Sequence, residues 1–403
     1  MRWIGFLMNL KLLVALALRA AVQQPLYPHR HEPIGTVRQI YDGVLSPDLA
    51  INTFRNIDRL FPSRIVPHAA RPVPLPPAAT PLRDVHFTAA GKAYDLDDYL
   101  ELNRIAALLV LQDGRVKLER YRFGNTPRTR WMSMSVAKSI TSTLVGAALR
   151  QGYIRSLSDS VTHYVPALRG TAYDGVQLRD VLMMASGVRW NETYTDPTSD
   201  RRRLLDAQIS QQRGAALAVM KSLPRAAEPG TTFNYNTGET QVIAEVLRAA
   251  VGRPLATYLS ERIWQPFGME ADATWWLDSP NGTEIGGSGF TATLRDYGRF
   301  GLFILGDGVA GGDSILPAGW VHEATTPKTL RGGAAVEYGY LWWPGHDGGG
   351  AFMAMGIHGQ YIYVNPAARV VIVAWGARPH PTEGQVIDDW VFCDAVTGAL
   401  IGR

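Results

Sequence analysis

One stretch of the chain decides its fold and points to its chemistry: Trp131-Met132-Ser133-Met134-Ser135-Val136-Ala137-Lys138-Ser139-Ile140-Thr141-Ser142-Thr143-Leu144-Val145-Gly146. The run from Ile140 to Ala148 carries no charge, which predicts a buried helix that begins near Ser135. Ser135 and Lys138 are three residues apart and therefore share one face of that helix. Burial disfavours the charged form of lysine, and a neutral amine can take the proton of a serine hydroxyl. The pattern Ser-x-x-Lys predicts a nucleophile with its base; an ordinary helix with a snorkelling lysine is the alternative.

The composition is that of an ordinary globular protein, with 403 residues of which 46% are hydrophobic and 19% charged. This length suits one large domain or two. The formal net charge is only +4. Arg201-Arg202-Arg203, the one tight basic cluster, follows acidic residues and is interpreted as a solvated loop, so nucleic-acid binding is not expected.

A single cysteine, Cys393, excludes an internal disulfide and a cysteine-based metal site. His29 and His31 lie in a Pro-rich stretch and are expected in a solvated tail, not as metal ligands.

The N-terminal segment, residues 1–22, resembles a secretory signal, with a basic start, a short apolar core and small residues after it. Lys11 and Arg19 bracket that core, so the apolar run is too short to span a bilayer. A helix lying on a membrane surface or on the protein itself is the alternative. A periplasmic or membrane-associated location is slightly favoured, and a cytoplasmic one stays open. The Pro-rich residues 23–82 predict a linker or surface strap ahead of a folded domain at 83–403.

Strands at both ends of this domain predict one antiparallel sheet flanked by helices, with a mainly helical insertion at about 150–285. The protein is therefore expected to be of the α+β class. The predicted strands are Ile105–Leu111, Val116–Phe123, Gly339–Trp343, Tyr361–Val364 and Val370–Trp375. The predicted helices are Leu178–Ala185, Ala215–Leu223, Glu239–Ala250, Pro254–Trp264, Phe290–Gly306 and Val386–Ile401. The sequence leaves the oligomeric state open.

Two further segments are expected to meet Ser135. In the first, a Pro-Gly turn leads to Tyr235 at a loop edge, where its hydroxyl can relay a proton; a tyrosine that only packs is the alternative. In the second, Ala354-Met355-Gly356-Ile357-His358-Gly359-Gln360, the glycines allow a close approach of backbone to a ligand. Acyl transfer needs N–H donors aimed at the developing oxyanion, and the Ser135 N–H and one N–H of this segment are candidates. A glycine-kinked edge strand is the alternative.

Two competing arrangements are weaker. Gly286-Gly287-Ser288-Gly289-Phe290 is similar to a nucleophile elbow but lacks its final glycine. His358 could be the base of a Ser-His-Asp triad, although no acidic residue has a clear claim as its partner. The sequence holds no metalloprotease, phosphate-loop or dinucleotide motif.

Taken together, Ser135-Val136-Ala137-Lys138, Tyr235-Asn236-Thr237-Gly238 and Gly356-Ile357-His358-Gly359-Gln360 resemble the serine β-lactamase-like superfamily. Their order resembles the branch of class C β-lactamases, family VIII esterases and 6-aminohexanoate-dimer hydrolases. The resemblance runs from about Leu82 to the end and implies a β-lactamase/transpeptidase-like fold. Asn191-Glu192-Thr193-Tyr194 is most similar to the 6-aminohexanoate-dimer hydrolases.

This resemblance implies roles for individual residues. Ser135 would be the nucleophile, Lys138 its activating partner and Tyr235 the proton relay. The backbone of Ser135 and Ile357 would form the oxyanion hole. The side chains expected to contact substrate are Tyr194 and His358. The resemblance implies no cofactor and no metal, and it makes a small ester or amide the expected partner.

Two departures from the family pattern bear on the substrate. β-Lactamases usually carry Lys-Thr-Gly beside the site, where this chain has Ala354-Met355-Gly356. The second motif reads Tyr-Asn-Thr in place of Tyr-x-Asn. The first departure favours cleavage of small esters or linear amides through an acyl-enzyme, and the second implies that the contact of the third residue is lost or altered. A β-lactamase, or a penicillin-binding-like protein that binds acyl groups with little turnover, is the alternative.

Overall fold

The computed structural model describes residues 27–346 and 349–402. The predicted signal or membrane segment, residues 1–22, lies outside these residues. Within them, none of the helices has the length and the apolar character needed to cross a bilayer.

The chain forms short strands and helices, with a run of helices between residues 136 and 264 and a run of strands between residues 328 and 376. The strands are β1 Ser63–Val66, β2 Phe87–Ala89, β3 Lys92–Tyr94, β4 Ile105–Gln112, β5 Arg115–Tyr121, β6 Arg130–Met132, β7 Ala273–Trp276, β8 Phe290–Thr293, β9 Val309–Ala310, β10 Asp313–Ser314, β11 Lys328–Thr329, β12 Ala335–Val336, β13 Trp343–Pro344, β14 Phe352–Gly356, β15 Gln360–Asn365 and β16 Val370–Gly376. The α-helices are α1 Val37–Asp42, α2 Pro47–Phe54, α3 Leu96–Leu102, α4 Val136–Arg150, α5 Val161–Tyr164, α6 Leu178–Leu182, α7 Asp200–Ser210, α8 Ala215–Ser222, α9 Thr237–Val251, α10 Leu255–Leu259, α11 Leu294–Leu305, α12 Trp320–Thr325 and α13 Asp389–Ile401.

A six-stranded antiparallel sheet in the order β13-β14-β15-β16-β4-β5 forms the centre of the protein. Its middle strands are buried on both faces, so their sequences are continuously apolar. Leu109 and Val373 face the larger core, which contains α4 and α11. Leu108 and Ile372 face a smaller core against α3 and α13. Each such side chain contributes about 1.5–3 kcal/mol when fully buried. The predicted α+β class is confirmed.

A second antiparallel sheet, in the order β1-β7-β8-β6, leads the chain into the site. Trp131 in β6 pairs with Ala292 in β8, and α4 begins five residues after Trp131. Met134 adopts a φ of 42°, a value that residues other than glycine rarely take, so the chain turns sharply just before Ser135. The predicted helix is confirmed: residues 136–148 of α4 are all buried.

The Pro-rich stretch 23–82 is only partly the surface strap that the sequence predicts. Pro77 forms a bridge to Val116 on β5, as a strap would. Residues 37–66, however, belong to the folded unit, because Ile40 and Phe54 are buried in the larger core and β1 pairs with β7. His29 is also buried, not part of a solvated tail, and its Nε2 lies 2.9 Å from the Thr129 hydroxyl.

Two further predictions need correction. The predicted helix Phe290–Gly306 is a buried strand, β8, followed by α11, because the Thr293 side chain accepts a hydrogen bond from the Asp296 N–H and caps the helix there. The arginine cluster is not a solvated loop: it lies in the first turn of α7, where Arg201 and Arg202 are buried.

Candidate active site

Ser135 and Lys138 lie at the start of α4, at the base of a cleft. The Ser135 Oγ is 2.6 Å from the Lys138 Nζ, and both side chains are buried. The Lys138 Nζ also donates to the carbonyl oxygen of Gly287 at 3.1 Å. A Cβ added at Gly287 would lie 2.3 Å from the Thr240 Oγ1 and 3.4 Å from the Nζ, so only glycine fits beneath the amine. The segment that resembles a nucleophile elbow thus supplies an acceptor for Lys138.

Burial lowers the pKa of Lys138 from 10.5 to about 7. The negative charge of Glu192 raises this pKa, and the positive charge of Arg201 lowers it. A large fraction of Lys138 is therefore uncharged at neutral pH. An uncharged amine at hydrogen-bond distance from a hydroxyl is the geometry required of a general base.

Tyr235 closes the other side of this pair. Its ring centroid is 5.3 Å from the Lys138 Nζ, and its ring stacks on Trp343 at 5.8 Å. Burial and the nearby Glu192 raise the pKa of the Tyr235 phenol, and a hydrogen bond with the Ser135 side chain opposes that rise. The three predicted groups, which come from two segments about 100 residues apart, are brought together.

The turn between β14 and β15 lies directly against Ser135. A Cβ at Gly356 would be 3.0 Å from the Ser135 backbone nitrogen and 2.6 Å from the Ser133 carbonyl oxygen, so a side chain there would displace one segment from the other. Ile357 follows and lines the cleft. Ser135 and Ile357, whose backbones the sequence predicts as an oxyanion hole, therefore line the same cleft.

His358 lies in the same turn but is outside the lining of the cleft. Its side chain is buried, its Nδ1 is 2.8 Å from the Arg378 carbonyl oxygen, and its ring centroid is 5.0 Å from that of Phe54. Burial lowers the pKa of His358 to about 4. Ile357 and Gly359, and not the expected His358, present this turn to the cleft.

The loop before α7 supplies two more groups. Tyr194 lines the cleft, as expected from the sequence. Glu192 also lines it and accepts hydrogen bonds from the Thr237 N–H, at 2.9 Å, and from the Thr237 hydroxyl. A carboxylate at a helix N-terminus is stabilised there by the helix dipole, here that of α9. The Asn191–Tyr194 motif does not by itself indicate this role of Glu192, because its partner Thr237 is 45 residues away.

The cleft has a volume of about 550 Å³ and a largely aromatic and apolar wall. Trp343, Met355 and Trp390 line it together with Ser135 and Tyr235. This size and lining suit a small organic substrate with a few polar anchors.

The far wall of the cleft holds a closed ion pair. The Arg378 Nη2 lies 2.6 and 2.7 Å from the two Asp389 carboxylate oxygens, and both side chains are buried. Tyr99 donates a further hydrogen bond to Asp389 at 2.7 Å. Arg378 is thus already neutralised. On β14, Ala354, expected from the sequence to replace the lysine of β-lactamases, is buried in the core.

Comparison with known proteins agrees with this geometry. A family model described as Beta-lactamase matches residues 103–393. The 6-aminohexanoate-dimer hydrolase of Paenarthrobacter ureafaciens is 32% identical over 330 residues, which are 76% of this chain and 83% of that protein. A solved structure from Bacillus anthracis, described as a 6-aminohexanoate-dimer hydrolase, superposes with a TM-score of 0.77 at 25% identity and covers 87% of this chain and 94% of that one. A family VIII carboxylesterase, at 16% identity and a TM-score of 0.57, shares the fold over 74% of this chain and 92% of its own.

The fold and these relatives place the protein in the class of serine hydrolases. The family model spans well over half of the chain. The protein belongs to the beta-lactamase family, and the predicted superfamily is confirmed.

Proposed function

We propose that this protein hydrolyses small esters or linear amides through an acyl-enzyme on Ser135. The observation that carries the proposal is the 2.6 Å distance between the Ser135 Oγ and the buried amine of Lys138. A serine hydroxyl is a poor nucleophile until a neighbouring base takes its proton. The lowered pKa of Lys138, about 7, makes that base available at neutral pH.

In the first half of the reaction, the Ser135 Oγ attacks the substrate carbonyl carbon while the Lys138 amine takes the hydroxyl proton. The negative charge on the carbonyl oxygen is stabilised by the N–H groups of Ser135 and Ile357, and one such donor is worth about 3–4 kcal/mol. The Tyr235 hydroxyl relays the proton to the leaving nitrogen or oxygen, and the bond from the carbonyl carbon to that atom breaks.

In the second half, a water molecule attacks the acyl carbonyl carbon and gives up a proton through the same relay. The bond between that carbon and the Ser135 Oγ breaks, and the Oγ recovers a proton, so the site returns to its starting state. Tyr194 supplies a polar contact to the bound substrate from the cleft wall.

The lining of the cleft favours an ester or a linear amide over a β-lactam. The strand lysine that holds a β-lactam carboxylate is replaced by the buried Ala354, and Arg378 is paired with Asp389. The matched relative from Paenarthrobacter ureafaciens makes the linear dimer of 6-aminohexanoate the first amide to test.

The test compares wild type with Ser135→Ala on p-nitrophenyl butyrate, the 6-aminohexanoate dimer and nitrocefin. We expect turnover of the ester or the amide, little of nitrocefin, and a loss of roughly 10⁴-fold or more in Ser135→Ala. If Ser135→Ala cleaved the ester and the amide as fast as wild type does, the proposal would be contradicted. A stable acyl adduct without turnover would instead assign an acyl-binding protein.

A second measurement identifies the nucleophile directly. After treatment with a fluorophosphonate, intact mass and peptide mapping should locate one adduct on Ser135. Ser288→Ala serves as the matched variant, because Ser288 is the serine of the elbow-like segment. The adduct should persist on Ser135 in that variant, and an adduct on Ser288 in wild type, or loss of the adduct in the variant, would contradict the assignment.

A further inference from the structure

A helix outside the family domain reaches the active site. Residues 37–42 form α1, and the matched family model begins only at residue 103. Tyr41, near the end of α1, is buried, and its hydroxyl accepts a hydrogen bond from the Nη2 of Arg201 on α7. The Arg201 guanidinium carbon lies 4.4 Å from the centre of the Tyr41 ring, which also packs on Tyr194 at 5.9 Å.

Arg201 is an unusual residue to find at this depth. It is 1% exposed, and within the described part of the chain its Nε and Nη1 atoms have no hydrogen-bond partner. A buried guanidinium with unused donors is costly, so such a group is expected only where its charge serves a purpose. Arg201 lines a small inner cavity together with Ser135, Tyr194 and Thr237.

The groups around Lys138 indicate what the charge of Arg201 does. Burial has the largest effect on the Lys138 amine; Glu192, and more weakly Arg201, are charged groups that also act on it, and the Tyr235 ring lies beside it. A nearby cation disfavours a second positive charge and favours a negative one. Arg201 accordingly lowers the pKa of the Lys138 amine and also that of the Tyr235 phenol, and Glu192 opposes both effects.

We propose that Tyr41 is a positioning residue that holds the Arg201 guanidinium beside the Ser135–Lys138 pair, where this buried cation assists Lys138 as the base. The proposal rests on the proposed function, since it assigns Lys138 as the base. It implies that part of the reactivity of Ser135 is set by a helix outside the family domain.

The test measures how the reactivity of Ser135 depends on pH, because a merely structural contact would not move that profile. The variants are Tyr41→Phe, Arg201→Met and Arg201→Lys. The control is Arg38→Ala, which removes a half-exposed ion pair with Asp206 between the same two helices, α1 and α7. For each protein, the rate of fluorophosphonate labelling and kcat/KM for p-nitrophenyl butyrate are recorded from pH 5 to 10, and folding is checked by the thermal midpoint.

We expect Arg201→Met to move the acid limb of both profiles upward by about one pH unit, with activity recovering at high pH. Tyr41→Phe should move the limb in the same direction by less, since it removes one oxygen atom and leaves the ring. Arg201→Lys should stay nearer to wild type because it keeps a cation, and Arg38→Ala should match wild type.

An unchanged limb in both Arg201→Met and Tyr41→Phe would overturn the proposal, as would the same loss of rate at every pH. If Arg201→Met does not fold, Tyr41→Phe decides the question. Failure of the proposed function is recognised separately, because wild type itself would then show no labelling at Ser135.

Discussion

The Nζ atom of Lys138 lies 3.1 Å from the carbonyl oxygen of Gly287, so the amine next to the nucleophile is anchored from a segment 149 residues away. A Cβ added at Gly287 would lie 2.3 Å from the Thr240 Oγ1, so the glycine allows this segment to approach α9 closely. The position of the amine therefore depends on a close approach between that segment and α9.

We expect Gly287→Ala to lower kcat/KM at least about tenfold and to destabilise the protein by about 1–3 kcal/mol, because overpacking displaces its neighbours. Enzyme kinetics and urea unfolding measure the two effects. Thr240→Ala in the same chain removes the Oγ1 and should restore part of both losses, as coupled neighbours do. Full activity in Gly287→Ala would show that the amine does not depend on this contact.

Lys138 should reduce stability in return for its reactivity. Its pKa is about 7 in the folded protein against 10.5 when unperturbed, so between these values the unfolded chain binds more protons. Stability contributed by this residue therefore rises with pH across that window. We expect Lys138→Met to be inactive, to have a thermal midpoint several degrees higher at pH 7, and to lose this advantage towards pH 10. An advantage that does not vary with pH would contradict the lowered pKa.

Glu192→Gln should shift the pH profile in the direction opposite to Arg201→Met. The Glu192 charge raises the pKa of Lys138, so removing this charge should move the acid limb of the kcat/KM profile to lower pH. Asp196→Asn is the matched control, because this carboxylate lies in the same loop and accepts hydrogen bonds from Thr198. An upward shift in Glu192→Gln, or an equal shift in both variants, would be evidence against the assigned electrostatics.

Asp389→Asn tests the ion pair on the far wall of the cleft. Removing one partner of a buried pair leaves the other charge uncompensated, so we expect a loss of about 3–5 kcal/mol. Asp113→Asn breaks the exposed pair with Arg369 and should cost less than about 1 kcal/mol. Urea unfolding compares the two, and equal losses would mean that Arg378 finds another partner.

Local patterns were sufficient to predict much of the fold. The hairpin of β4 and β5 and the helix after Ser135 follow from apolar periodicity and a two-residue turn. The same patterns failed at Phe290–Thr293, where four buried residues preceding a helix carry no signal that separates strand from helix. There the Thr293 cap decides where the helix begins.

The groups that surround the predicted site depend on contacts between distant segments. Three consecutive arginines suggest a solvated stretch, yet Arg201 is buried because Tyr41, 160 residues earlier, covers it. His358 lies in the motif that was expected to contact substrate, but Phe54 packs on its ring and the Arg378 carbonyl oxygen lies at hydrogen-bond distance from its Nδ1. Nothing within ten residues of either side chain indicates these partners.

The placement of Tyr41 and Phe54 has a practical consequence for anyone who shortens this chain. A fragment cut to the matched region, 103–393, would retain Ser135, Lys138 and Tyr235 but would strip the cover from Arg201 and from the turn that carries Ile357. A shortened chain meant to keep these two contacts should therefore begin upstream of α1.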